Sequence, residues 1–256
     1  MKKAILVAII GAMTFSVHAG DWGKAPVAHA KAPIEECYDI GGEISAGYMS
    51  DYLFYGSRLG RDSVWTDVNY TFDSIVPITI GAWYINNTNT TPDPGDELDL
   101  YASAALGTFG GFDVALGYTH YFFPETGAGS QGEIGLDLTR SLGFVDLALE
   151  TNYNYSLDAW YHQAGIEKSF GLTDSMSLVL GVGIGWSDGY SQNNLSNWNH
   201  YYATASLPIE LNCRATLTPY VGYNGDPTGW AAQDLVDGAN TRADVLHAGV
   251  SLAVSF

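Results

Sequence analysis

Every second residue from Leu246 to Phe256 is apolar. Leu246, Ala248, Val250, Leu252, Val254 and Phe256 share one parity, while His247, Gly249, Ser251, Ala253 and Ser255 share the other. A strand turns successive residues to opposite faces, so this segment has one wholly apolar face and one small or polar face. The same unit, about ten alternating residues and then a turn, recurs up the chain. The alternation predicts strands over 43–55, 64–72, 78–85, 98–106, 112–122, 133–141, 145–155, 160–170, 178–186, 200–211, 215–223 and 242–256. That is a count of about twelve, good to about two because strand ends are hard to place.

The start of the chain bounds its destination. Lys2 and Lys3 precede an apolar run over 4–15, and Val17-His18-Ala19 offers a small-x-small cleavage site. Residues 1–19 therefore read as a secretory signal peptide, followed by an extended periplasmic segment over 20–41 containing Lys24, Pro26, Lys31 and Pro33. Beyond the leader no stretch of eighteen apolar residues occurs, so helical spans are excluded. Loss of Lys2 and Lys3 takes the formal charge from −18 to about −20. So acidic a chain repels nucleic acid. Aromatic residues make up 13% and there are 30 glycines, as rings at a membrane boundary and small residues on a crowded inner wall require. Cys37 and Cys213 belong to an exported chain and either oxidise together at one end of the fold, the leading expectation, or stay as two free buried thiols.

Connection lengths add a second signal. They are short after even-numbered strands (73–76, 108–111, 142–144, 171–176 and 212–214). They are longer after most odd-numbered ones (56–63, 86–97, 124–131, 187–199 and 224–241), with only the seventh-to-eighth connection short on that side. Short periplasmic turns alternating with long outer loops, an even strand count and both termini periplasmic form the outer-membrane pattern. The terminal stretch resembles the closing strand of bacterial outer-membrane barrels, in which Val250, Leu252, Val254 and the final Phe256 would be read by the barrel-assembly machinery. The fold class expected is all-β: a closed, antiparallel, up-and-down transmembrane barrel over 42–256. A half-buried strand set of a soluble sandwich is the alternative, but a sandwich has no reason to gather its long loops at one end.

Gly47-Tyr48-Met49-Ser50-Asp51-Tyr52-Leu53-Phe54-Tyr55-Gly56 with residues 64–72 resembles the opening hairpin of the TorF-type family of exported porins. That family usually carries Arg where this chain has Tyr55. The resemblance covers about thirty residues. It implies a membrane barrel and a pore, and carries no catalytic residue across.

The two faces then divide the work. Outward parity is apolar with rings towards the strand ends, and Arg140 and Lys168 fall where long stems reach the interface. Inward parity is small, polar and acidic, with pore-lining candidates Asp67, Asp99, Asp113, Glu133, Asp137, Glu150, Glu167, Tyr101, Tyr121 and Tyr202. A turn over 142–145 sets Asp137 opposite Glu150. No basic residue is expected on the inward parity of a strand interior. The acids either bias the lumen towards cations or only keep it wet and pair with Tyr hydroxyls. Expected partners are outer-membrane lipid and small polar or cationic solutes, with no cofactor and no metal. An acidic outer loop, Asp93, Asp96, Glu97 and Asp99, lacks the spacing of a Ca²⁺ motif. His120, His162, His200 and His247 come with no Gly-x-Ser-x-Gly or His-x-Ser, which speaks against an outer-membrane lipid hydrolase. Residues 230–236 read as a helical turn or two, or a mobile surface loop. A passive channel is the leading expectation, with a non-conducting surface barrel and an enzyme as alternatives.

Overall fold

The computed structural model describes residues 40–88, 96–126, 128–190, 196–227, 230–232, 234–236 and 244–256. Its strands are β1 (Gly42–Phe54), β2 (Ser57–Phe72), β3 (Ile78–Asn87), β4 (Glu97–Phe109), β5 (Phe112–Phe122), β6 (Gln131–Ser141) and β7 (Asp146–Asn154). After them come β8 (Ala159–Thr173), β9 (Met176–Asp188), β10 (Asn197–Ser206), β11 (Ile209–Glu210), β12 (Ala215–Gly225) and β13 (Val245–Ser255). Each pairs antiparallel with its neighbours, and β13 returns to pair with β1, with Ala46 opposite Leu252 and Tyr48 opposite Val250. The sheet is a closed barrel. β10 and β11 both lie between β9 and β12 and form one stave interrupted at Leu207 and Pro208, which leaves twelve staves. Pro208 has no N–H to give the ladder, so the stave breaks there.

Closure follows from which face is wet. Val68, Ile80, Leu116, Ile166, Leu180, Val182 and Leu252 are all exposed on the outer surface, whereas Ser45, Asp67, Asp99, Thr119, Asp137 and Thr218 are buried inside. A soluble sandwich would bury the first set and expose the second. In lipid no water is available to an open edge, so the sheet must satisfy all its backbone groups by pairing round to its start. Rings mark both margins of the apolar belt. Tyr70, Phe72, Phe109, Phe144 and Phe170 stand near the end holding Gly42 and Phe256, and Tyr118, Tyr155, Trp160, Trp198 and Tyr201 stand near the other. Arg140 is exposed at the first margin with its guanidinium carbon 5.3 Å from the Phe112 ring centre.

Two sequence expectations need correction. The connection after the first strand is not a loop over 56–63 but a two-residue turn at Tyr55 and Gly56, flanked by the Phe54–Ser57 pair. β2 thus begins seven residues earlier than the alternation suggested, and Arg58 and Arg61 are strand residues. The described residues 230–232 and 234–236 are not helical either. The Ala231 and Ala232 N–H groups donate to the carbonyls of Trp198 and Asn199, and Asp234 forms a parallel bridge with Arg58. The seventh-to-eighth connection is short, residues 155–158, as the sequence indicated. Gly20 to Asp39, Asp93 and Arg242 lie outside the described residues.

Candidate functional site

The lumen is built by the inward parity of all the staves. Glycines on β8 and β9 leave it room for large rings: a Cβ at Gly165 or Gly183 would run into the Tyr202 hydroxyl, and one at Gly185 would meet Tyr161 and His200. Asp67, Asp99, Glu133 and Asp137 are buried inside together with Tyr101, Tyr121, Tyr161 and Tyr202, while Glu150 and Glu167 are half-buried. Asp113 is exposed at the rim that holds Gly42 and Phe256 and bonds to Thr108, outside the enclosed lumen. The register pairs Asp137 with Glu150 across β6 and β7.

Tyrosines supply many of the donors that these carboxylates need. The Tyr101 hydroxyl lies 3.0 and 3.2 Å from the two oxygens of Asp67, which also accepts from Asn69 at 2.8 Å. Tyr52 donates to Glu97 at 2.9 Å, and Tyr121 donates to Glu133 at 2.8 Å. Glu150 accepts from Gln163 at 3.4 Å and from Asn152. Asp99 differs: it is wholly buried beside the Glu97 carboxyl, and no tyrosine or amide donates to it.

What the sequence did not announce is the position of the first hairpin's tip. Leu59 is an extra residue in β2, opposite the step between Tyr52 and Leu53, and such a bulge bends and twists a ribbon. Tyr55 and Gly56 then turn the chain with φ of 46° and 75°, the sign a type I′ turn demands at both positions. A side chain in that region costs about 1–2 kcal/mol, so Tyr55 is held there by its contacts. They lie on the far wall. Its ring stacks on Tyr161 of β8 at 3.8 Å and 19°. Its hydroxyl donates to Glu133 of β6 at 2.6 Å and accepts from Asn152 of β7 at 2.7 Å. Burial beside the Glu133 carboxylate holds that phenol well above its ordinary range, so it remains a donor. The Gly56 carbonyl accepts from Asn224 of β12 at 2.9 Å, and a Cβ at Gly56 would strike His200 and Asn199 of β10. Tyr190, from the β9–β10 connection, also donates to Glu133 and meets the Tyr55 ring edge-on. The tip therefore crosses the lumen at the end away from Gly42 and Phe256.

Beneath the tip, Met49, Tyr52, Trp83 and Ile85 form an apolar cluster with Phe54, Leu59 and Trp65 packed against it. Arg58 is an inward-lying cation that the sequence reading did not expect. Its Nη1 lies 3.1 Å from Asp51 and its Nε 3.0 Å from Asp234, with Nη2 also on Asp234. Among the described residues no group of three or more His, Cys, Asp or Glu is arranged to hold a metal. Asp96 is engaged by Tyr84 and Asn86 instead. Cys213, in the turn before β12, is disulfide-bonded, and Cys37 lies outside the described residues.

No family model matches the chain, and no curated protein matches it. Among solved structures it is similar to a KdgM porin, with a TM-score of 0.53 at 10% identity over 84% of this chain and 99% of that one. A KdgM porin in complex with disordered oligogalacturonate gives 0.54 at 9% identity over 84% and 99%. NanC porin gives 0.50 at 12% identity over 84% and 98%. At these identities the likeness shows the fold alone. The chain has the closed-barrel fold of outer-membrane porins.

Proposed function

We propose that this chain is a porin-like channel of the bacterial outer membrane, with both barrel termini in the periplasm and the longer loops outside. It passes small polar solutes by diffusion and prefers cations. The observation that carries this reading is a lumen whose buried Asp67, Asp99, Glu133 and Asp137 outnumber the cations facing them among the described residues. Carboxylates in a low-dielectric passage lower the energy of a passing cation and raise that of an anion. One structure of similar fold is a porin in complex with oligogalacturonate, a polyanion. This wall disfavours such a solute. The opening hairpin's resemblance to TorF-type porins belongs to the same reading. So does a Cys37–Cys213 disulfide tying the N-terminal segment to the barrel, for which non-reducing peptide mapping should recover the linked pair and not two free thiols.

Planar-bilayer recording under a salt gradient tests the proposal. The reversal potential should have the sign of cation preference. A variant carrying Asp67→Asn, Asp137→Asn and Glu150→Gln should lose that preference while still inserting. Anion preference in the unmodified protein would reject the reading. The tip lying across the lumen favours a second reading, a non-conducting barrel that acts through its outer loops. An absence of conductance in every variant would support it.

A further inference from the structure

The tip has three kinds of attachment. Its rings rest on Tyr161 and on the apolar cluster beneath it. On the far wall it is held by hydrogen bonds: Tyr55 to Glu133, Asn152 to Tyr55, and Asn224 to the Gly56 carbonyl. At its base the attachment is ionic. The Arg58 fork spans two carboxylates from different parts of the chain, Asp51 on β1 and Asp234 from the last connection. The three side chains are only 11%, 11% and 6% exposed. The Leu235 N–H donates to the Arg58 carbonyl at 3.0 Å, so residues 234–235 lie against β2 as a short parallel partner. Ala231 and Ala232 bind that same connection to β10. Residues 230–232 and 234–236 are thus strapped between the barrel wall and the tip, and one guanidinium joins strap to tip.

Removing that guanidinium takes away the cation that Asp51 and Asp234 share, and breaking a shielded ion pair by removing one partner costs more than losing a neutral bond. We infer that Arg58 is an ionic latch: through Asp51 and Asp234 it keeps the β1–β2 tip across the lumen, and its release frees the tip and opens the passage. The inference rests on the channel reading.

The test uses full-length protein in planar bilayers, each variant first showing the heat-modifiable gel mobility of a folded barrel. Arg58→Ala and Asp234→Asn should each conduct severalfold more than the unmodified protein. Residues 58 and 234 are bridge partners, which brings their Cα atoms into the range a disulfide spans, about 4.4–6.8 Å. The double variant Arg58→Cys/Asp234→Cys should therefore conduct like the unmodified protein when oxidised and like Arg58→Ala when reduced. Reductant alone should leave the unmodified protein unchanged. Equal conductance of the unmodified protein and Arg58→Ala, or of the oxidised and reduced double variant, overturns the latch and leaves the channel standing. If nothing conducts, including a variant with Phe54, Tyr55 and Arg58 all changed to Ala, the channel reading falls and the latch falls with it.

Discussion

Single residues in this barrel are constrained most where two walls approach. A Cβ at Gly47 would sit 2.7 Å from both the Trp65 ring and the Val250 carbonyl, and one at Gly249 would meet the Tyr48 carbonyl and the Tyr220 ring. Both glycines lie on the seam between β1 and β13. The Trp65 ring can turn aside, but a backbone carbonyl cannot without breaking the ladder. Gly47→Ala is therefore expected to cost about 1–3 kcal/mol, as overpacking does. It should appear as a lower midpoint in urea unfolding from lipid vesicles. Gly143 has open space for 4 Å around the place a Cβ would take, but its φ is +85°, so backbone conformation constrains it instead.

At the scale of elements, the faces were legible in the sequence and the first hairpin was not. A strand repeats every two residues whatever surrounds it, so Leu98, Leu100 and Asp99 could be assigned sides from their spacing alone. The acids of the lumen, Asp67, Glu133 and Asp137 among them, came from the same rule. Arg58, Arg61, Asp62 and Ser63 resembled a loop because polar runs usually are loops. Inside a barrel, polar residues are strand residues, and the bulge at Leu59 had erased the alternation that would have shown it. The seat of the tip was illegible for another reason: Tyr55 meets a carboxylate 78 residues away, and no local period encodes such a contact. The last strand was legible down to its final residue. The Phe256 N–H donates to the Gly42 carbonyl at 2.8 Å, and its own carbonyl accepts from Ile40. Phe256→Ala keeps these backbone bonds but removes the ring, which we propose the assembly machinery reads. It should lower the amount of folded barrel in outer-membrane fractions while leaving the unfolding midpoint of the assembled fraction nearly unchanged.

For the whole molecule, what matters is which solvent each side of the wall meets. Val182, midway along β9 and paired with Ile166 and Ala203, looks outward at the belt, while Gly181 and Thr204 on neighbouring staves look inward. Val182→Arg should destabilise the barrel by about 2–4 kcal/mol near the bilayer midplane. Thr204→Arg should be tolerated and should weaken cation preference, because it places a positive charge near Glu167 in the lumen. Urea unfolding and reversal potentials on the two variants distinguish these outcomes. Equal destabilisation by both would mean that the inside and outside of the wall had been confused.

The seam between the first and last strands also sets an order of events. β1 finds its second partner only in β13, and the wall on which the tip rests comes from β6, β7 and β8 against Tyr55 and from β10 and β12 against Gly56. The seat of the tip therefore exists only where all of those staves are paired, so an incomplete cylinder has no place for the tip to settle.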